Sequence, residues 1–455
     1  MSIKTIVILV DHKVRDLPPS ALIAFELELL GFKVELQPID AYKAVYAAFK
    51  PSMVIFNHLL ASHLAAYSRD LHERGVKVGV LLNEGLLYLD DDRDFNAQGA
   101  HPDAHVDLFF SWNEKYKLSL LKNRKGKAGR VVVVGNPRMD FYFSPWKMLW
   151  TNREQKNNKK RILVATNFGL AKFTERPREE ADKHFSMWAE KVPLLKDYYS
   201  ICETHALSRQ MLLPYIEEIL SSNLYDVVLR IHPRESKEFY RKWIATLHKS
   251  QLKNLIFDAE SPISMLINDC DLEISMDRCS TALESWIAGK PTIEIECPSH
   301  PYLTDWDIRA LNVGCSDPKN INGLISEQLK TGAQKMFLDK RNEHLSIWLN
   351  SPNGRTCSSI ASEIAVELED MTSDSLNGYG LKFGELKKGS KLKIWNYFNL
   401  SYIWKPSSYF KSFFKRYHND KSVMDLKKGI KPTDVDEMMS AIRNFASSNS
   451  GLKKG

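Results

Sequence analysis

The sequence has few cysteines, no long apolar run and no secretory start, and each absence narrows the class of protein. Its six cysteines form no Cys-x-x-Cys pair, which argues against a zinc site or a disulfide framework and favours reduced thiols in a cytosol. No stretch approaches the ~20 apolar residues of a membrane-spanning helix. The first residues lack the basic start and the cleavage site of a signal peptide. We therefore expect a cytoplasmic protein.

The sequence also lacks a strong charge imbalance, internal repeats, a heptad pattern and a nucleic-acid-binding module. The net charge is +7, from 63 basic and 56 acidic residues, so the location of the basic residues matters more than their excess. A length of 455 residues is too great for one ordinary core, and an apolar content of 44% is that of a globular protein. These values predict two domains with an appendage and no nucleic-acid partner.

Short apolar runs alternate with helical patterns through most of the chain. The predicted strands are 4–10, 33–37, 53–56, 76–82, 107–112, 131–134, 161–166, 226–231, 254–257, 272–275 and 292–295. Alternation of strands and helices predicts an α/β fold with Rossmann-like parallel sheets. A polar stretch at 152–160 separates two such series. We therefore predict one domain at 1–150, a second at 151–370 and a tail at 371–455.

Two motifs in the second series point to an anion. Val227–Glu235 is an apolar run that stops at His232-Pro233, so the imidazole is expected at the carboxyl edge of a sheet, where open α/β folds bind ligands. Cys279–Pro291 has a hydroxyl pair, Ser280 and Thr281, that opens a short predicted helix closed by Gly-Lys-Pro. A helix that begins in this way offers hydroxyls and free backbone N–H groups. Together the motifs predict a phosphate-holding cleft.

The order His-Pro, then Ser-Thr-x-Leu-Glu-x-x-x-x-Gly-Lys-Pro, resembles the nucleotide-sugar half of two-domain (GT-B) glycosyltransferases. It is most similar to the bacterial surface-carbohydrate enzymes that include the retaining β-Kdo transferases of capsule and O-antigen assembly. Gly135–Asp140 matches the Gly-Asn-Pro-Arg-x-Asp signature of this family, and Thr166–Gly169 matches a further family loop. The resemblance covers about Ile6–Asp370. It implies two Rossmann-like domains facing a cleft, the first on the acceptor side.

The resemblance further implies a sugar acid moved from a CMP-activated donor to a surface-polysaccharide or lipid-linked glycan acceptor. The donor is a substrate, and no resident cofactor is expected. Because its leaving group carries one phosphate, the need for a chelating metal is small. Asp-x-Asp patterns occur in 90–94, 269–271 and 434–436, and we interpret all of them as solvated or capping carboxylates. No metal site is predicted.

The substrate-binding candidates are grouped around these motifs. They are Asn167, Arg230, His232, Pro233, Arg234, Arg278, Ser280, Thr281 and Glu284. His232 and the Ser280–Thr281 helix start would meet the phosphate, and the three arginines lie near the motifs as candidates for the carboxylate of the sugar acid. Glu284 is expected to reach the ribose. The alternatives are a core position for His232, ordinary helix capping for Ser280 and Thr281, and a solvated side chain for Glu284.

Catalytic candidates lie in both halves of the chain. Glu84 follows the strand at 76–82 and is the candidate base, with a helix cap and a turn at Gly85 as the alternative. Asp197 and Glu203 both lie about thirty residues before His-Pro, where the family's nucleophile is expected, and neither has a motif around it. His232 is the fourth catalytic candidate. For Gly135–Asp140 we favour a turn that steers the chain out of the first domain over an Arg138 that faces the cleft.

The tail is unlike the rest of the chain. Lysines and aromatic residues interleave between Lys387 and Tyr417. This interleaved composition favours contact with anionic lipid head groups at the inner face of the cytoplasmic membrane. Packing of the aromatic side chains on the two domains, or binding of single-stranded nucleic acid, are the alternatives.

Two other functions fit the same features. One is a transferase that uses another CMP-sugar acid or a CDP-polyol donor, since such enzymes share the fold and a similar cleft. The other is a non-catalytic, nucleotide-binding scaffold of glycan assembly.

Overall fold

The computed structural model divides the chain into two compact units. The first unit combines Met1–Asp140 with Ile347–Gly455, and the second is Phe141–Ser346. The structure describes residues 3–82, 99–124, 129–150, 159–190, 193–276, 279–298, 300, 306–332, 335–371, 380–400 and 429–449. Glu84 and Arg278 lie outside these residues.

Each unit contains one six-stranded sheet in which all strands are parallel. The strands of the first unit are β1 (Thr5–Val10), β2 (Lys33–Pro38), β3 (Met53–Phe56), β4 (Lys77–Leu81), β5 (Leu108–Ser111) and β6 (Arg130–Val133). Their order is β2-β1-β3-β4-β5-β6. β3 is buried at every position, as expected for a parallel sheet covered on both faces.

The second sheet has the strand order of dinucleotide-binding Rossmann domains. Its strands are β7 (Lys160–Ala165), β8 (Tyr225–Arg230), β9 (Leu255–Asp258), β10 (Leu272–Ser275), β11 (Thr292–Ile295) and β12 (Val313–Cys315). They run in the order β12-β11-β10-β7-β8-β9, which is 6-5-4-1-2-3 when counted within the unit. The predicted α/β class with two Rossmann-like sheets is confirmed. β12, only three residues long, was not predicted.

Helices connect the strands and complete both units. They are α1 (Leu17–Leu29), α2 (Tyr42–Phe49), α3 (Ser62–Glu73), α4 (Glu114–Arg124), α5 (Arg178–Ala189), α6 (Tyr198–Ser222), α7 (Lys237–Ile244), α8 (Lys249–Leu252), α9 (Ile263–Asp269), α10 (Thr281–Ile287), α11 (Trp306–Arg309), α12 (Ile321–Thr331), α13 (Lys335–Leu349), α14 (Thr356–Leu368), α15 (Phe383–Tyr397) and α16 (Pro432–Ser448). Pro214 lies inside α6 without dividing it. None of the helices in the described ranges is both long and apolar enough to span a bilayer.

The Gly135–Asp140 motif connects the first sheet to a helix more than two hundred residues further along the chain. Gly135 has a φ of +87°, and a Cβ there would lie 2.9 Å from the Leu349 carbonyl oxygen. The buried carboxylate of Asp140 accepts hydrogen bonds from the backbone N–H groups of Thr356 (3.0 Å) and Cys357 (2.7 Å) at the start of α14. A carboxylate at a helix N-terminus is stabilised by the free N–H groups and by the helix dipole. The motif therefore has a conformational role in this unit.

The return of α14 to the first unit differs from the domain boundaries expected from the sequence, which placed it in the second domain. α14 packs against α1. Lys77 of β4 forms a 3.2 Å ion pair with Glu367 of α14. Helical periodicity shows which face of a helix is buried, but it does not show against which sheet.

The described parts of the tail belong to the first unit. α15 packs along α2, where a Cβ on Gly389 would lie 2.8 Å from the Cβ of Ala47, and Leu392 of α15 is fully buried. α16 packs against α1, and its Arg443 binds Glu28 at 2.7 Å. Packing thus accounts for one face of α15. Residues 401–428, which hold much of the basic-aromatic stretch, lie outside the described residues.

Candidate functional site at the carboxyl edge of the second sheet

The second sheet has a topological switch point between β7 and β10. β8 and β9 lie on one side of β7, and β10 to β12 lie on the other, so successive connections leave this point in opposite directions. Open α/β sheets bind ligands in the crevice at such a point, outside the carboxyl ends of the strands. The register pairs Ala165 with Arg230 and Val164 with Ile274, so the three strands end at similar levels. The sheet therefore brings the Thr166–Gly169 loop, the His-Pro loop and the start of α10 to one edge.

A buried carboxylate joins two of these loops. Glu235 accepts hydrogen bonds at Oε1 from the Thr166 hydroxyl (2.6 Å) and from the backbone N–H groups of Phe168 (2.9 Å) and His232 (3.2 Å). Its Oε2 accepts the hydroxyl of Tyr240. Burial raises the pKa of Glu235, although these four donors act in the opposite direction. Glu235 thus fixes the His-Pro loop against the loop that follows β7.

His232 is held as a neutral imidazole with one defined tautomer. Its Nδ1 accepts the backbone N–H of Arg234 at 3.2 Å, so in the neutral ring Nε2 carries the proton. Burial lowers the pKa of His232 to about 3, and the positive charges of Arg234, Arg230 and Lys172 add to the effect. Gly169 lies directly against the ring, since a Cβ there would be 3.3 Å from Nδ1. His232 can therefore donate one hydrogen bond from Nε2 at neutral pH.

Several cations surround His232. Burial and the charges of Arg176 and Arg234 lower the pKa of Lys172 to about 8. Burial and the charges of Lys172 and Arg234 also lower the pKa of His184. No ion pair of Lys172 or Arg234 occurs within the described part of the chain, whereas Arg176 is paired with Glu180 at 3.2 Å. This accumulation of positive charge favours an anionic ligand.

A buried histidine extends the cluster. His205, on α6, is 4% exposed, and neither of its ring nitrogens has a hydrogen-bond partner. Its ring meets Phe168 edge-on, with centroids 6.2 Å apart. Burial and the charge of Arg209 lower its pKa to about 4. At neutral pH His205 and His232 are thus uncharged imidazoles close to the cations Lys172 and Arg234.

The start of α10 is engaged with buried carboxylates. Ser280 is the N-cap residue without a side-chain capping bond, and the Thr281 hydroxyl donates to Glu273 Oε1 at 2.7 Å. Burial raises the pKa of Glu273 to about 8. Glu284, expected to reach a ribose or to be solvated, is 3% exposed and accepts the hydroxyl of Tyr142. The solvated alternative is therefore wrong for Glu284.

The remaining substrate-binding candidates differ in their surroundings. Arg230 is buried and donates to the backbone carbonyls of Ser261 (3.1 Å) and Ile231, so in this structure its guanidinium holds loops. Pro233 and Arg234 are exposed, and Asn167 is half-buried. Arg234 is the arginine candidate that lies beside His232 with an exposed side chain.

The two nucleophile candidates lie around the start of α6. Asp197 is exposed and directly precedes α6, and Glu203 is exposed on the second turn of that helix. The 3-10 helix Ala171–Glu175, which carries Lys172, packs against α6. Cys202, within the 197–203 window, interacts electrostatically with Lys172, so this window lies near the cation cluster.

One group among the described residues has the composition of a metal site. His72, His105 and Asp107 of the first unit offer three ligand atoms within 4.8 Å of one another. However, Asp107 Oδ1 already binds the Lys77 ammonium at 3.2 Å, and its Oδ2 accepts the Val78 N–H at 2.8 Å. These bonds tie Asp107 to β4, and the group is remote in sequence from the motifs above.

Sequence reasoning did not select Glu235, Lys172 or His205. Glu235 stands in the quoted His-Pro motif, yet no pattern distinguishes a buried carboxylate from a solvated one. Lys172 and His205 come from a 3-10 helix and an α-helix whose position near His232 depends on how the elements pack in the second unit. The part of the site that the sequence did indicate is the pair of loops at Thr166–Gly169 and His232-Pro233. Both follow strands of one parallel sheet and therefore lie at the same edge.

Comparison with known proteins gives only distant similarity. No family model and no curated protein match the chain. The wall teichoic acid polymerase TagF, 12% identical, aligns over 80% of this chain and 89% of its own with a TM-score of 0.49. MnaA of S. aureus, solved with UDP, is 14% identical and aligns over 81% of this chain and 97% of its own, with a TM-score of 0.47. UDP-GlcNAc 2-epimerase from Neisseria meningitidis, bound to UDP-GlcNAc, is 13% identical and aligns over 81% of this chain and 100% of its own, with a TM-score of 0.44. At these values the likeness assigns neither ligand nor reaction.

Proposed function

We propose that the protein is a glycosyltransferase that moves a sugar acid, with Kdo from CMP-Kdo as the first candidate, to a surface-polysaccharide or lipid-linked glycan. The observation that carries this proposal is the cation cluster beside neutral His232 at the switch point of the second sheet. Lys172 and Arg234 match the charges of a phosphate and a sugar carboxylate, and His232 Nε2–H supplies one oriented donor. The resemblance of the His-Pro and Ser-Thr motifs supports the choice of a CMP donor.

The reaction that we propose is a double displacement. A carboxylate of Asp197 or Glu203 attacks the anomeric carbon, the bond from that carbon to the phosphate oxygen breaks, and CMP leaves with the electron pair. An acceptor hydroxyl then attacks the same carbon, a base takes its proton, and the ester to the carboxylate breaks. Glu84 is the proposed base. The net result is retention of the anomeric configuration, with no redox change.

A panel of donors tests this function. The full chain is incubated in EDTA with CMP-Kdo, CMP-sialic acid, CDP-glycerol and UDP-GlcNAc, and the release of nucleotide is measured. We expect CMP release from a CMP-sugar acid, together with a covalent adduct of one sugar-acid unit on residue 197 or 203, seen by mass spectrometry with donor alone. Turnover of CDP-glycerol or UDP-GlcNAc only, or a strict metal requirement, would contradict the proposal.

Calorimetry with CMP is the control that separates binding from turnover. Binding of CMP without release from any donor would indicate a scaffold. The affinity should fall as the pH rises through about 8, because Lys172 loses its proton there and its attraction for phosphate with it. UMP in place of CMP, with the same single phosphate, reports whether the base is recognised.

We also propose that α15 contacts an anionic membrane surface, which would place the protein at the inner face of the cytoplasmic membrane. The inner side of α15 is fixed on α2, and its outer side carries exposed apolar side chains. Phe383 and Tyr397 are each 84% exposed and Ile394 is 53% exposed, and all three lie near one face at helical spacing. Four exposed lysines of α15 accompany them: Lys387, Lys388, Lys391 and Lys393. Exposed aromatic residues among lysines are typical of an interfacial helix.

Flotation with vesicles tests this surface. Replacement of the four α15 lysines by glutamine should weaken binding to vesicles of 30% phosphatidylserine at least about tenfold, since each lysine near such a surface contributes roughly 1 kcal/mol. The matched control is the same replacement at four exposed lysines of the second unit: Lys242, Lys249, Lys253 and Lys330. Equal binding of the two variants, or no flotation of the wild type, would refute the role of α15.

A further inference from the structure

The first sheet has a switch point of its own. β2 lies on one side of β1, and β3 to β6 lie on the other, so the crevice opens between the carboxyl ends of β1 and β3. β1 is followed by Asp11 and β3 by Asn57 and His58. The first unit thus presents polar side chains at the position where open α/β sheets bind ligands. No step proposed above uses them.

Asn57 is unusual for a buried amide. The residue is 5% exposed, and neither Oδ1 nor Nδ2 has a hydrogen-bond partner. Each buried polar atom left unpaired costs about 1–3 kcal/mol, and most such atoms in folded proteins are paired. An asparagine that only filled space would be less stable here than a leucine of similar size. The two polar atoms of this amide are therefore candidates for contacts with a ligand at the switch point.

His58 shares this property. Its Nδ1 is buried without a partner, and the rest of the residue is half-buried. Burial lowers its pKa, partly offset by Asp11, so at neutral pH the ring is uncharged and offers one donor and one acceptor. Two adjacent residues at the switch point thus have unused hydrogen-bonding groups of both kinds.

The charges nearby indicate a neutral ligand. Arg15 is held by Asp16 at 2.7 Å and 3.1 Å and lies 3.6 Å from Asp11, so its charge is compensated. In the second unit, in contrast, Lys172 and Arg234 near the switch point form no ion pair with any described residue. Groups that both donate and accept, without excess charge, match hydroxyls, which also do both.

We propose that Asn57 and His58 form a binding site for a neutral, hydroxyl-bearing ligand of the carbohydrate class. The Asn57 amide would bind a hydroxyl as donor and acceptor at once, and His58 would bind a neighbouring one. That this carbohydrate is the acceptor of the transfer reaction rests on the proposed function, but the site itself does not.

The test combines stability with sugar binding on the full chain. Asn57→Leu removes both unpaired atoms at nearly constant volume, so its melting temperature should stay equal to that of the wild type or rise. Saturation-transfer NMR with methyl glucoside, methyl galactoside and N-acetylglucosamine should show transfer to at least one sugar in the wild type. The affinity for that sugar should fall about tenfold or more in Asn57→Leu and in His58→Ala.

Asn113→Leu is the matched control. Asn113 is equally buried and follows β5 of the same sheet, but its Nδ2 donates to the Trp348 carbonyl at 3.0 Å and its Oδ1 accepts the Tyr116 N–H at 2.8 Å. This variant should melt lower than the wild type. A similar fall in the melting temperature of Asn57→Leu would show that the Asn57 amide has a structural role and would overturn the proposal. So would sugar binding unchanged in both site variants, or no transfer to any of the sugars.

The outcome of this test can be distinguished from the outcome of the test of the proposed function. CMP binding is measured on the same samples, and both site variants should retain it. Sugar binding at Asn57 without any CMP binding would leave this site standing and remove the transferase proposal.

Discussion

Replacement of His232 by alanine is expected to lower the rate of sugar transfer at least about a hundredfold. In the proposed reaction, negative charge grows on the phosphate as CMP leaves, and an oriented donor that meets this charge has an effect of that size. His232 Nε2 is such a donor, because Nδ1 is engaged by the Arg234 N–H and the ring is neutral. Transfer is measured as CMP released from the active donor in the presence of acceptor.

A second substitution distinguishes hydrogen bonding from proton transfer. His232→Gln keeps an N–H donor near the position of Nε2 but has no group that takes up a proton. A pKa of about 3 favours the bonding role, so the glutamine variant should stay within about tenfold of the wild type. His248→Ala, at an exposed histidine that precedes α8, is the control and should be fully active. Equal inactivity of the glutamine and alanine variants would contradict the bonding role.

Replacement of Glu235 by alanine is expected to destabilise the protein by about 3–5 kcal/mol. The substitution leaves four donors without their acceptor in a buried place: the Thr166 and Tyr240 hydroxyls and the N–H groups of Phe168 and His232. Denaturant unfolding followed by tryptophan fluorescence measures the change. Because the two units can unfold separately, the transition assigned to the second unit is the one that should move.

Glu235→Gln and Glu238→Ala bracket this effect. Glutamine keeps one acceptor oxygen, and the Tyr240 hydroxyl can accept from its amide, so the cost should be about 1 kcal/mol. Glu238 is exposed on the first turn of α7, and its replacement should change stability by less than about 0.5 kcal/mol. If Glu235→Ala and Glu238→Ala have the same free energy of unfolding for the second unit, the Glu235 carboxylate does not hold the two loops together.

Most strands were predictable from short apolar or alternating runs, and the central ones are buried on both faces. β3, Met-Val-Ile-Phe, was predicted to the residue because a short apolar run between polar loops is typical of a buried strand. β10, Leu-Glu-Ile-Ser, was also predicted to the residue, from alternating apolar positions. β12 was missed because three residues give no pattern. The lone proline of α6 was expected to kink or split the helix, yet α6 runs unbroken from Tyr198 to Ser222. Tertiary packing outweighs a local preference in a helix of this length.

The site was predictable in its loops and less so in its side chains. His232 and Thr166–Gly169 meet because parallel strands end at one edge, which follows from the sequence pattern. Arg230 and Arg234 were chosen alike for their nearness to the motif, but one lies within β8, where its guanidinium is buried, and the other follows the strand and is exposed. The partners of Glu235 depend on which strands are neighbours, and a single sequence does not contain that information.

The division of the first unit between two distant parts of the chain determines the order in which the protein can form on the ribosome. α14 is needed to cover α1, but it is synthesised only after the whole second unit, about 200 residues later. At roughly 5–20 residues per second, the nascent first sheet waits about 10–40 seconds for this helix. The second unit is one continuous segment and can complete its own core during that interval. We therefore expect the amino-terminal sheet, although it is made first, to be the last part of the chain to complete its packing.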